Sequence, residues 1–389
     1  MGSITMGKLM RILLAIVGIA GVSTASVVCS GSNAGATVTP PDSSFPSPLT
    51  VAAGLHINYF AKVPGARVMA MGPDGAVYVS VTGAGKVVRV WDTNGDNVAD
   101  SVRTVVDGLN GPSGLAFHKG FLYIANTNGV VRVQLNESGV ATGAPVSVNS
   151  LPGGGGHSTR TIVFGSDSAM YVTVGSSCNL CVESDSERAA VVRFNEDGSN
   201  GRVFARGLRN AVGIAVNPST KKLWVSQNER DNITPDHQDL PPEEINILED
   251  GKDYGWPYCY SLHGSPVPNP EYHDAARCST TVSAALEMQA HSAPLGMTFL
   301  DKAKLMPSEY RTDLLVAFHG SWDRDQPTGA KVVRVHVAGG VPAGIDDFVI
   351  GWQRPDGSRW GRPADVEVYK DGSVLISDDQ GGALYRVAP

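Results

Sequence analysis

The chain has little of the positive charge that is typical of a nucleic-acid-binding protein. Charged residues make up 18% of its 389 residues, and the formal net charge is −7. A protein whose main partner is DNA or RNA usually carries a basic patch, so this composition excludes nucleic acid as the main partner. Aromatic residues are also few, at 7%, but 42% of the residues are hydrophobic, which is enough for one large domain or two ordinary ones.

A hydrophobic run long enough to span a bilayer is lacking near the N-terminus, where residues 12–22 form only a short apolar segment. This segment follows Lys8 and Arg11 and precedes a run of small residues, which is the pattern of an export signal. We therefore expect a signal peptide over residues 1–26 and a periplasmic or secreted protein.

The segment after the signal is rich in serine, proline, glycine and threonine, which predicts a linker over residues 27–48. Within it, Cys29 stands where a lipoprotein cysteine could sit. Val28 is bulkier than the residue usually found before such a cysteine. A lipid anchor at Cys29 therefore stays open as an alternative to free secretion.

Cysteine is scarce, with five residues in the chain. Without Cys29 the count is even, as expected for an exported protein. We therefore expect two disulfides, Cys178–Cys181 and Cys259–Cys278. The alternative for the first pair is half of a zinc site, but no second CxxC motif or nearby histidine pair supports it.

Glycine and proline are abundant, at 45 and 24 residues, and they punctuate a repeat. A strand such as "VYV" is followed by a turn and then by a second strand such as "VVRV". The first half begins at Val77, Leu122, Met170, Leu223, Leu314 and Val374, and the second at Val87, Val130, Val191, Glu244, Val332 and Leu384. A period of roughly 45 to 60 residues with several strands per unit is typical of propeller blades, and six units are present.

The repeat predicts an all-β fold, a six-bladed β-propeller of four-stranded antiparallel blades over residues 49–389. The fourth gap is far longer than the others, so we expect an insertion within about residues 228–293. Blades packed radially cover one another and leave a central channel, and ligands bind on loops at one end of it. Functional residues should therefore recur at matching points of different repeats.

Polar or cationic residues precede a blade at five equivalent points. They are Asn110, His157, the pair Arg209 and Asn210, His291 and Arg362. If these loops converge on one rim, two arginines and a histidine would suit an anionic ligand and a base. Taken singly, each arginine is more simply explained as a surface or inter-blade salt bridge.

A second group of polar residues follows the strand that we take as the first of a blade. His319 and Trp322 in the fifth repeat and the pair Asp378 and Asp379 in the sixth stand out. His319 and Asp378 are candidate ligands of a bound molecule. A carboxylate at a strand end can equally cap a turn, and for Asp378 the two interpretations are balanced.

Two acidic stretches could bind calcium. In "DTNGDNVAD" the oxygen-bearing side chains match the alternating spacing of a calcium loop, and Gly95 allows a tight turn: Asp92, Asn94, Asp96 and Asp100. The stretch lacks the terminal glutamate of such loops, so a solvated acidic turn is the alternative. Glu243 and Glu244 could ligate a second calcium ion, or could be a charged blade edge.

Five motifs resemble the glucose/sorbosone dehydrogenase family over about residues 51–389. They are "GLRNAVGIAV", "EEINIL", "DYGWP", "AHSAPLGM" and "RPADVEV" followed by "ISDD". The likeness is greatest to the sorbosone or pyranose dehydrogenase branch, by "HSTRTI", "NERD" and "HGSW". Members are exported six-bladed propellers that bind pyrroloquinoline quinone (PQQ) and calcium. The resemblance implies a sugar substrate and oxidation by hydride transfer to the quinone.

The resemblance also implies roles for individual residues. His157 is similar to the general base that takes the proton of the substrate hydroxyl. Arg209 is similar to the cation that holds the quinone oxygens, and Asn210, Arg362 and Asp378 to residues around the cofactor. The glycine tract before His157 would then leave room for a flat cofactor or for the sugar.

The implied calcium ligands are backbone and side-chain oxygens. The carbonyls of Glu229 and Arg230 fall where the family ligates the calcium that touches PQQ. Glu244 and the carbonyl of Tyr254 resemble a second, structural calcium site.

Departures from the family put glucose specificity in doubt. Gly156, Val212 and Ser177 replace an acidic residue and two glutamines that contact cofactor or substrate. No CxxCH haem motif is present, so electrons would leave to a separate acceptor. A calcium-dependent lactonase propeller and a non-catalytic binding propeller remain as alternatives. The lactonase would want acidic and asparagine ligands where this chain has histidine and arginine.

Overall fold

The computed structural model describes residues 36–37, 45–234 and 236–389. The expected signal peptide, Cys29 and most of the expected linker lie outside these residues. Within the described part of the chain, no helix combines the length and the apolar character that crossing a membrane would need.

Six antiparallel sheets form the six-bladed propeller that the repeat predicted. From the inner to the outer strand, the blades comprise Met69–Met71, Val77–Val81, Lys86–Trp91 and Ser101–Val106; Leu115–His118, Phe121–Asn126, Gly129–Gln134 and Val146–Ser150; Ile162–Phe164, Met170–Val174, Ala190–Phe194 and Arg202–Arg206; Ala211–Val216, Leu223–Gln227, Glu243–Ile247 and Leu286–Met288; Pro294–Phe299, Leu314–Phe318, Lys331–Ala338 and Val341–Ile350; and Pro363–Val368, Val374–Asp378, Ala383–Ala388 and His56–Lys62. The first and fifth blades gain a fifth strand, Ala36–Thr37 and Thr50–Val51 respectively.

The sixth blade joins distant parts of the sequence. Its outer strand, His56–Lys62, pairs antiparallel with Ala383–Ala388, so that strand closes the ring of blades. Closure leaves the inner strands of all six blades in contact with their neighbours around a central channel. The channel encloses about 390 Å³ between these inner strands.

The strands named "VYV" in the repeat are the second strand of each blade, because an inner strand precedes each of them. We expected them to be the first strand, and this expectation was wrong by one strand. Their side chains are buried on both faces, as in Val77–Val81 and Leu314–Phe318, because neighbouring blades cover both sides of each sheet. The polar residues that follow them therefore lie on the same end of the propeller as the loops that lead into the inner strands.

The arginine of the "VVRV" motif has a structural role. In four blades it lies within 4 Å of an aspartate at or next to the turn between the first two strands: Arg89–Asp74, Arg193–Asp167, Arg334–Asp313 and Arg386–Asp371. The inner strand runs from the channel mouth described below to this turn, so the pairs lie at the opposite end of the blades. The arginine of the repeat therefore has a structural role in these four blades.

The fourth blade carries the long insertion. A loop links Leu223–Gln227 to Glu243–Ile247, and a hairpin of Cys259–Leu262 with Ser265–Pro268 follows. Helix α1, Ala275–Cys278, and two 3₁₀ turns elsewhere, Thr82–Ala84 and Ser308–Tyr310, are the only helical elements of the described residues.

Both expected disulfides are confirmed. One joins Cys178 to Cys181 in the loop after the second strand of the third blade. The other joins the insertion hairpin to α1 through Cys259 and Cys278. Since both cysteines of "CNLC" are used in a disulfide, the zinc alternative is set aside.

Candidate active site

One end of the channel opens into a cavity of about 240 Å³. Its walls come from the loops that lead into the inner strands and from those that follow the second strands. The ionisable side chains in this lining are Arg67, His157, Arg209, Glu229, Asp231, Glu243, His291, His319 and Arg362. The cavity therefore collects three guanidinium groups, three imidazoles and three carboxylates from five blades.

Nine residues singled out in the sequence line this cavity: His157, Arg209, Asn210, Glu229, Glu243, His291, His319, Trp322 and Arg362. The loop positions that recur from blade to blade thus converge, apart from Asn110. The others lie outside the lining: Arg230, Glu244, Tyr254, Asp378 and the four residues of "DTNGDNVAD".

His157 presents one ring nitrogen as a proton acceptor. Its Nδ1 lies 2.8 Å from the hydroxyl oxygen of Ser176, and that hydroxyl donates its only hydrogen to the carbonyl of Cys178 at 2.7 Å. The hydroxyl can therefore only accept from the ring, so Nδ1 carries the hydrogen and Nε2 keeps its lone pair. Burial, and after it the Arg209 guanidinium, lower the pKa of His157 to about 4. The imidazole is consequently neutral near pH 7.

Gly175, which is not part of the glycine tract at residues 153–156, makes room for this histidine. A Cβ at Gly175 would lie 2.5 Å from the Cβ of His157 and 2.9 Å from Oδ1 of Asn210. Residues 153–156, by contrast, are exposed and do not line the cavity. Gly155 has φ +84°, and a Cβ there would meet the Ser177 backbone at 2.7 Å. The tract therefore allows two loops to approach each other. We had expected it to leave room for a ligand, and the structure does not support that role.

Arg209 is buried, and each of its five N–H groups already has a protein acceptor. Nε donates to the carbonyl of Asn179, and Nη1 to the carbonyls of Asn228 and Glu229. Nη2 donates to the side chains of Asn179 and Asp231. The guanidinium thus ties the disulfide loop of the third blade to the loop of the fourth, and a direct bond to a ligand would require one of these contacts to open.

Asn210, next to it, has an unsatisfied acceptor. Its Nδ2 donates to Asn228 at 3.3 Å, but its buried Oδ1 has no hydrogen-bond partner among the described residues. Buried polar atoms are rarely left unpaired, so an unpaired one in a cavity wall indicates a missing ligand or water.

Asp378 and Asp379 of the sixth blade have different surroundings, and they differ from our expectation. Asp378 is fully buried outside the cavity, where it accepts hydrogen bonds from the backbone N–H groups of Arg362 and Gly381 and from the Tyr385 hydroxyl. It holds the turn and is not part of the cavity lining. These contacts do not support its assignment as a cofactor ligand, which stays a prediction. Asp379, the next residue, is bonded to the cavity-lining residues instead.

Asp379 accepts from His319 at 2.9 Å and pairs with Arg67 at 2.5 Å. Burial opposes ionisation, but the His319 hydrogen bond and Arg67 outweigh it and lower the pKa of Asp379 to about 2. Burial dominates for His319 and lowers its pKa to about 4 in spite of the carboxylate. A neutral His319 therefore donates its Nε2 hydrogen to Asp379, and Nδ1 keeps the lone pair.

Arg362 is anchored on the same loop as His319. Its Nε donates to the carbonyl of His319 and its Nη2 to that of Gly320, both at 2.8 Å. Its Nη1 has no protein partner among the described residues, and the same holds for Nε and Nη2 of Arg67. These two arginines, unlike Arg209, have donors available for an anion.

The residues of the implied second calcium site are not part of the cavity lining. Glu244 accepts from the Ser261 N–H and from Asn246, and burial is the main cause that raises its pKa. The Tyr254 hydroxyl donates to the carbonyl of Ile247 in the core, and its backbone carbonyl stays a predicted ligand. Arg230 points its side chain to Glu271. Glu243, which does line the cavity, accepts from the backbone N–H groups of Glu229 and Ala293, and burial raises its pKa to about 7.

The stretch "DTNGDNVAD" forms a turn held by its own hydrogen bonds, and the calcium loop expected there stays a prediction. Asp92 accepts from the N–H groups of Gly95 and Asn97, and Asp100 accepts from Thr93. Asp96 likewise accepts from the N–H of Val98, and Asn94 donates to Asp96. These contacts are also what the alternative, an acidic turn, would show. The stretch links the third and fourth strands of the first blade and lies at the end of the blade away from the cavity.

Sequence reasoning missed several residues of the site. Arg67 precedes the inner strand of the first blade, which is the same point of the repeat as Arg209 and Arg362, so that rule would have found it. Asp231 follows the "NER" motif in the long loop of the fourth blade. Trp322 stood out in the sequence but was given no role there. It lines the cavity, and 72% of its surface is exposed.

The fold and the site together define a class of six-bladed propeller with a cationic, histidine-rich cavity at the mouth of its channel. The sequence model of the TrAA12-like family matches residues 49–388, so the chain belongs to this family. The resemblance found in the motifs is thereby confirmed at the level of the family.

Individual proteins and solved structures are also similar to this chain. The chain is 26% identical over 306 residues to quinoprotein glucose dehydrogenase B of Acinetobacter calcoaceticus, covering 60% of this chain and 61% of that protein. The matches span about three fifths of the length of the first curated relatives. Among solved structures, a calcium structure of the Trichoderma reesei AA12 enzyme and the holo PQQ domain of Coprinopsis cinerea pyranose dehydrogenase each give a TM-score of 0.78 at 22% identity. They cover 90% of this chain and 98% and 100% of theirs, and at this identity they show the fold.

Proposed function

We propose that the protein is a PQQ- and Ca²⁺-dependent dehydrogenase that oxidises an aldose or a sorbosone-like sugar, with His157 as the general base. One observation carries the proposal. A neutral imidazole with a free Nε2 lies in the same cavity as three guanidinium groups. This combination suits a planar polyanion and a substrate whose hydroxyl proton must be removed.

The residues present fit the cofactor. PQQ carries three carboxylates, and Arg67 and Arg362 have N–H groups without protein partners in this cavity. These two arginines would hold the carboxylates. The positive charge of Arg209 would stabilise the anion without a direct hydrogen bond. The unpaired Oδ1 of Asn210 would accept an N–H of the bound molecule.

A calcium ion fits the same wall. The Glu229 and Glu243 side chains line the cavity, and burial raises the pKa of both carboxyl groups. Oxygen ligands of this kind are those that calcium prefers. A nearby cation would favour the charged form of these carboxylates, so the ion and the buried pair stabilise each other.

The protein's own part in the reaction centres on His157. When bound, the quinone supplies the two-electron acceptor and calcium the Lewis acid that the side chains lack. Nε2 of His157 takes the proton of the substrate hydroxyl. The Nδ1–H bond to Ser176 holds the ring in the orientation and tautomer that this step needs. Trp322, exposed at the rim, offers an apolar face to the sugar.

The setting of the enzyme is part of the proposal. Two disulfides and the signal-like N-terminus support export to the periplasm or beyond, with Cys29 as a candidate lipid anchor. Because the sequence has no CxxCH haem motif, a separate acceptor such as a quinone or a cytochrome would take the electrons.

Reconstitution tests the proposal. The purified protein is mixed with PQQ and Ca²⁺, a panel of aldoses and sorbosone, and a dye acceptor. We expect dye reduction that requires both PQQ and a sugar. His157→Gln should lower kcat by about 10²–10⁴-fold with PQQ binding retained. The matched control is His56→Gln, on the exposed edge of the sixth blade.

Two results would contradict the proposal. Hydrolysis of a lactone without PQQ would favour the lactonase alternative. Absence of both activities, with a sugar bound, would favour a binding propeller.

A further inference from the structure

We propose that Asp231, His291 and Asp323 form a binding site for a divalent transition-metal ion, separate from the proposed calcium site. The three side chains come from three loops beside the cavity: the long loop of the fourth blade, the loop that leads into the fifth, and the loop after the second strand of the fifth. Their ligand atoms all lie within 4.8 Å of one another.

The distances suit ligands that share an ion. Nδ1 of His291 lies 3.8 Å from Oδ1 of Asp231 and 3.6 Å from Oδ2 of Asp323. Both separations exceed those of an ordinary hydrogen bond. Two ligand atoms that each lie about 2.1 Å from one tetrahedral ion are roughly 3.4 Å apart, which is near the observed values.

The ring of His291 is oriented for metal binding. Its Nε2 lies 3.1 Å from the carbonyl oxygen of Leu240, and a carbonyl can only accept, so Nε2 carries the hydrogen. The lone pair of the neutral ring is then on Nδ1, which faces the two carboxylates. A backbone carbonyl that fixes the second nitrogen is a common feature of metal-bound histidines.

Asp323 supplies the independent indication of a missing cation. Its side chain is 5% exposed, and neither carboxylate oxygen has a hydrogen-bond partner among the described residues. A buried carboxylate without a hydrogen bond is costly, whereas a bound cation satisfies it. Asp231 bonds Arg209 through Oδ2, which leaves Oδ1 for the ion.

The donor set selects the class of metal. One imidazole nitrogen and two carboxylate oxygens suit Mn²⁺, Co²⁺ or Zn²⁺, whereas calcium takes oxygen ligands almost exclusively. Three protein ligands leave room for a water molecule or another small ligand. Because Asp231 and His291 also line the cavity, such a ligand would be within reach of it.

A proton is the competing occupant. Burial lowers the pKa of His291, but the carboxylates of Asp231, Asp323 and Glu243 outweigh burial and the net shift is upward. A charged imidazolium between two carboxylates would satisfy them without a metal. Metal and proton compete for Nδ1, so metal affinity should fall as the pH is lowered.

Cobalt binding tests the site without PQQ and independently of any activity. Chelator-treated protein is titrated with Co²⁺, followed by visible absorption and by metal analysis after dialysis. We expect one Co²⁺ per chain, displaced by Zn²⁺ and not by an equal concentration of Ca²⁺. Asp323→Asn should weaken binding at least about tenfold.

The matched control is His336→Asn, which removes a histidine that also lies between two aspartates, Asp313 and Asp346, on the outer part of the fifth blade. This variant should bind Co²⁺ as the unsubstituted protein does. The proposal is overturned if the chain binds no Co²⁺, if Ca²⁺ competes equally, or if Asp323→Asn binds Co²⁺ as tightly. His291→Gln provides a second variant with the same expectation should Asp323→Asn not fold.

Discussion

His157 and Arg209 face one cavity, and the guanidinium adds to burial in lowering the pKa of the imidazole to about 4. A bound polyanion would offset the positive charge of Arg209. The pKa of His157 should therefore be higher in the loaded protein than in the cofactor-free protein. The base would then titrate closer to the working pH, where general-base catalysis is most effective.

This shift can be measured directly. In the cofactor-free protein we expect the His157 ring, followed by NMR and assigned with His157→Gln, to stay neutral down to about pH 4. With PQQ bound, the acidic limb of kcat/KM should lie above that value. A His157 titration near 6.5 in the cofactor-free protein would contradict the electrostatic account.

Arg209→Lys keeps the charge but cannot make five hydrogen bonds. We expect it to lower the free energy of unfolding by about 3 kcal/mol or more, because buried acceptors, including Asp231, lose their partner. Arg202→Lys is the matched control, since Arg202 forms an exposed pair with Asp250 and should change stability by less than about 1 kcal/mol. Chemical denaturation measures both. Equal stability of the two variants would show that the Arg209 contacts contribute little.

Gly175→Ala should displace the base without removing any functional group. The new Cβ would lie 2.5 Å from the Cβ of His157, so the ring must shift. We expect kcat to fall by at least about tenfold while the protein remains folded. Gly143→Ala is the control, because a Cβ at Gly143 has nothing within 4 Å. Unchanged kcat in Gly175→Ala would mean that the His157 loop adapts freely.

Asp378 and Asp379 should respond differently to replacement by asparagine. Asp379→Asn removes the charge that pairs with Arg67 and His319, so we expect altered PQQ affinity and little loss of stability. Asp378→Asn disturbs three buried hydrogen bonds and should destabilise the fold by about 1–3 kcal/mol. Calorimetry for PQQ binding and thermal unfolding separate the two effects. The reverse pattern would restore Asp378 as the cofactor ligand.

The repeat made the fold and much of the site predictable. A recurring strand pattern fixes six blades, and the loops at its equivalent points converge, so His157 and Arg362 could be placed together before any geometry was known. The choice between Asp378 and Asp379 could not be made, because neighbouring residues at a strand end point in opposite directions and the register decides which one faces the cavity. The engaged donors of Arg209 depend on distant loops that no local pattern encodes.

The paired arginines and aspartates of the blades have a consequence for how this chain can change over time. They connect the strands of four blades at the end remote from the cavity. Selection for a different sugar or electron acceptor can therefore act on the loops around the cavity while these arginine–aspartate pairs remain unchanged. The loops at one end of the propeller can therefore change in sequence while the contacts at the other end keep the blades folded.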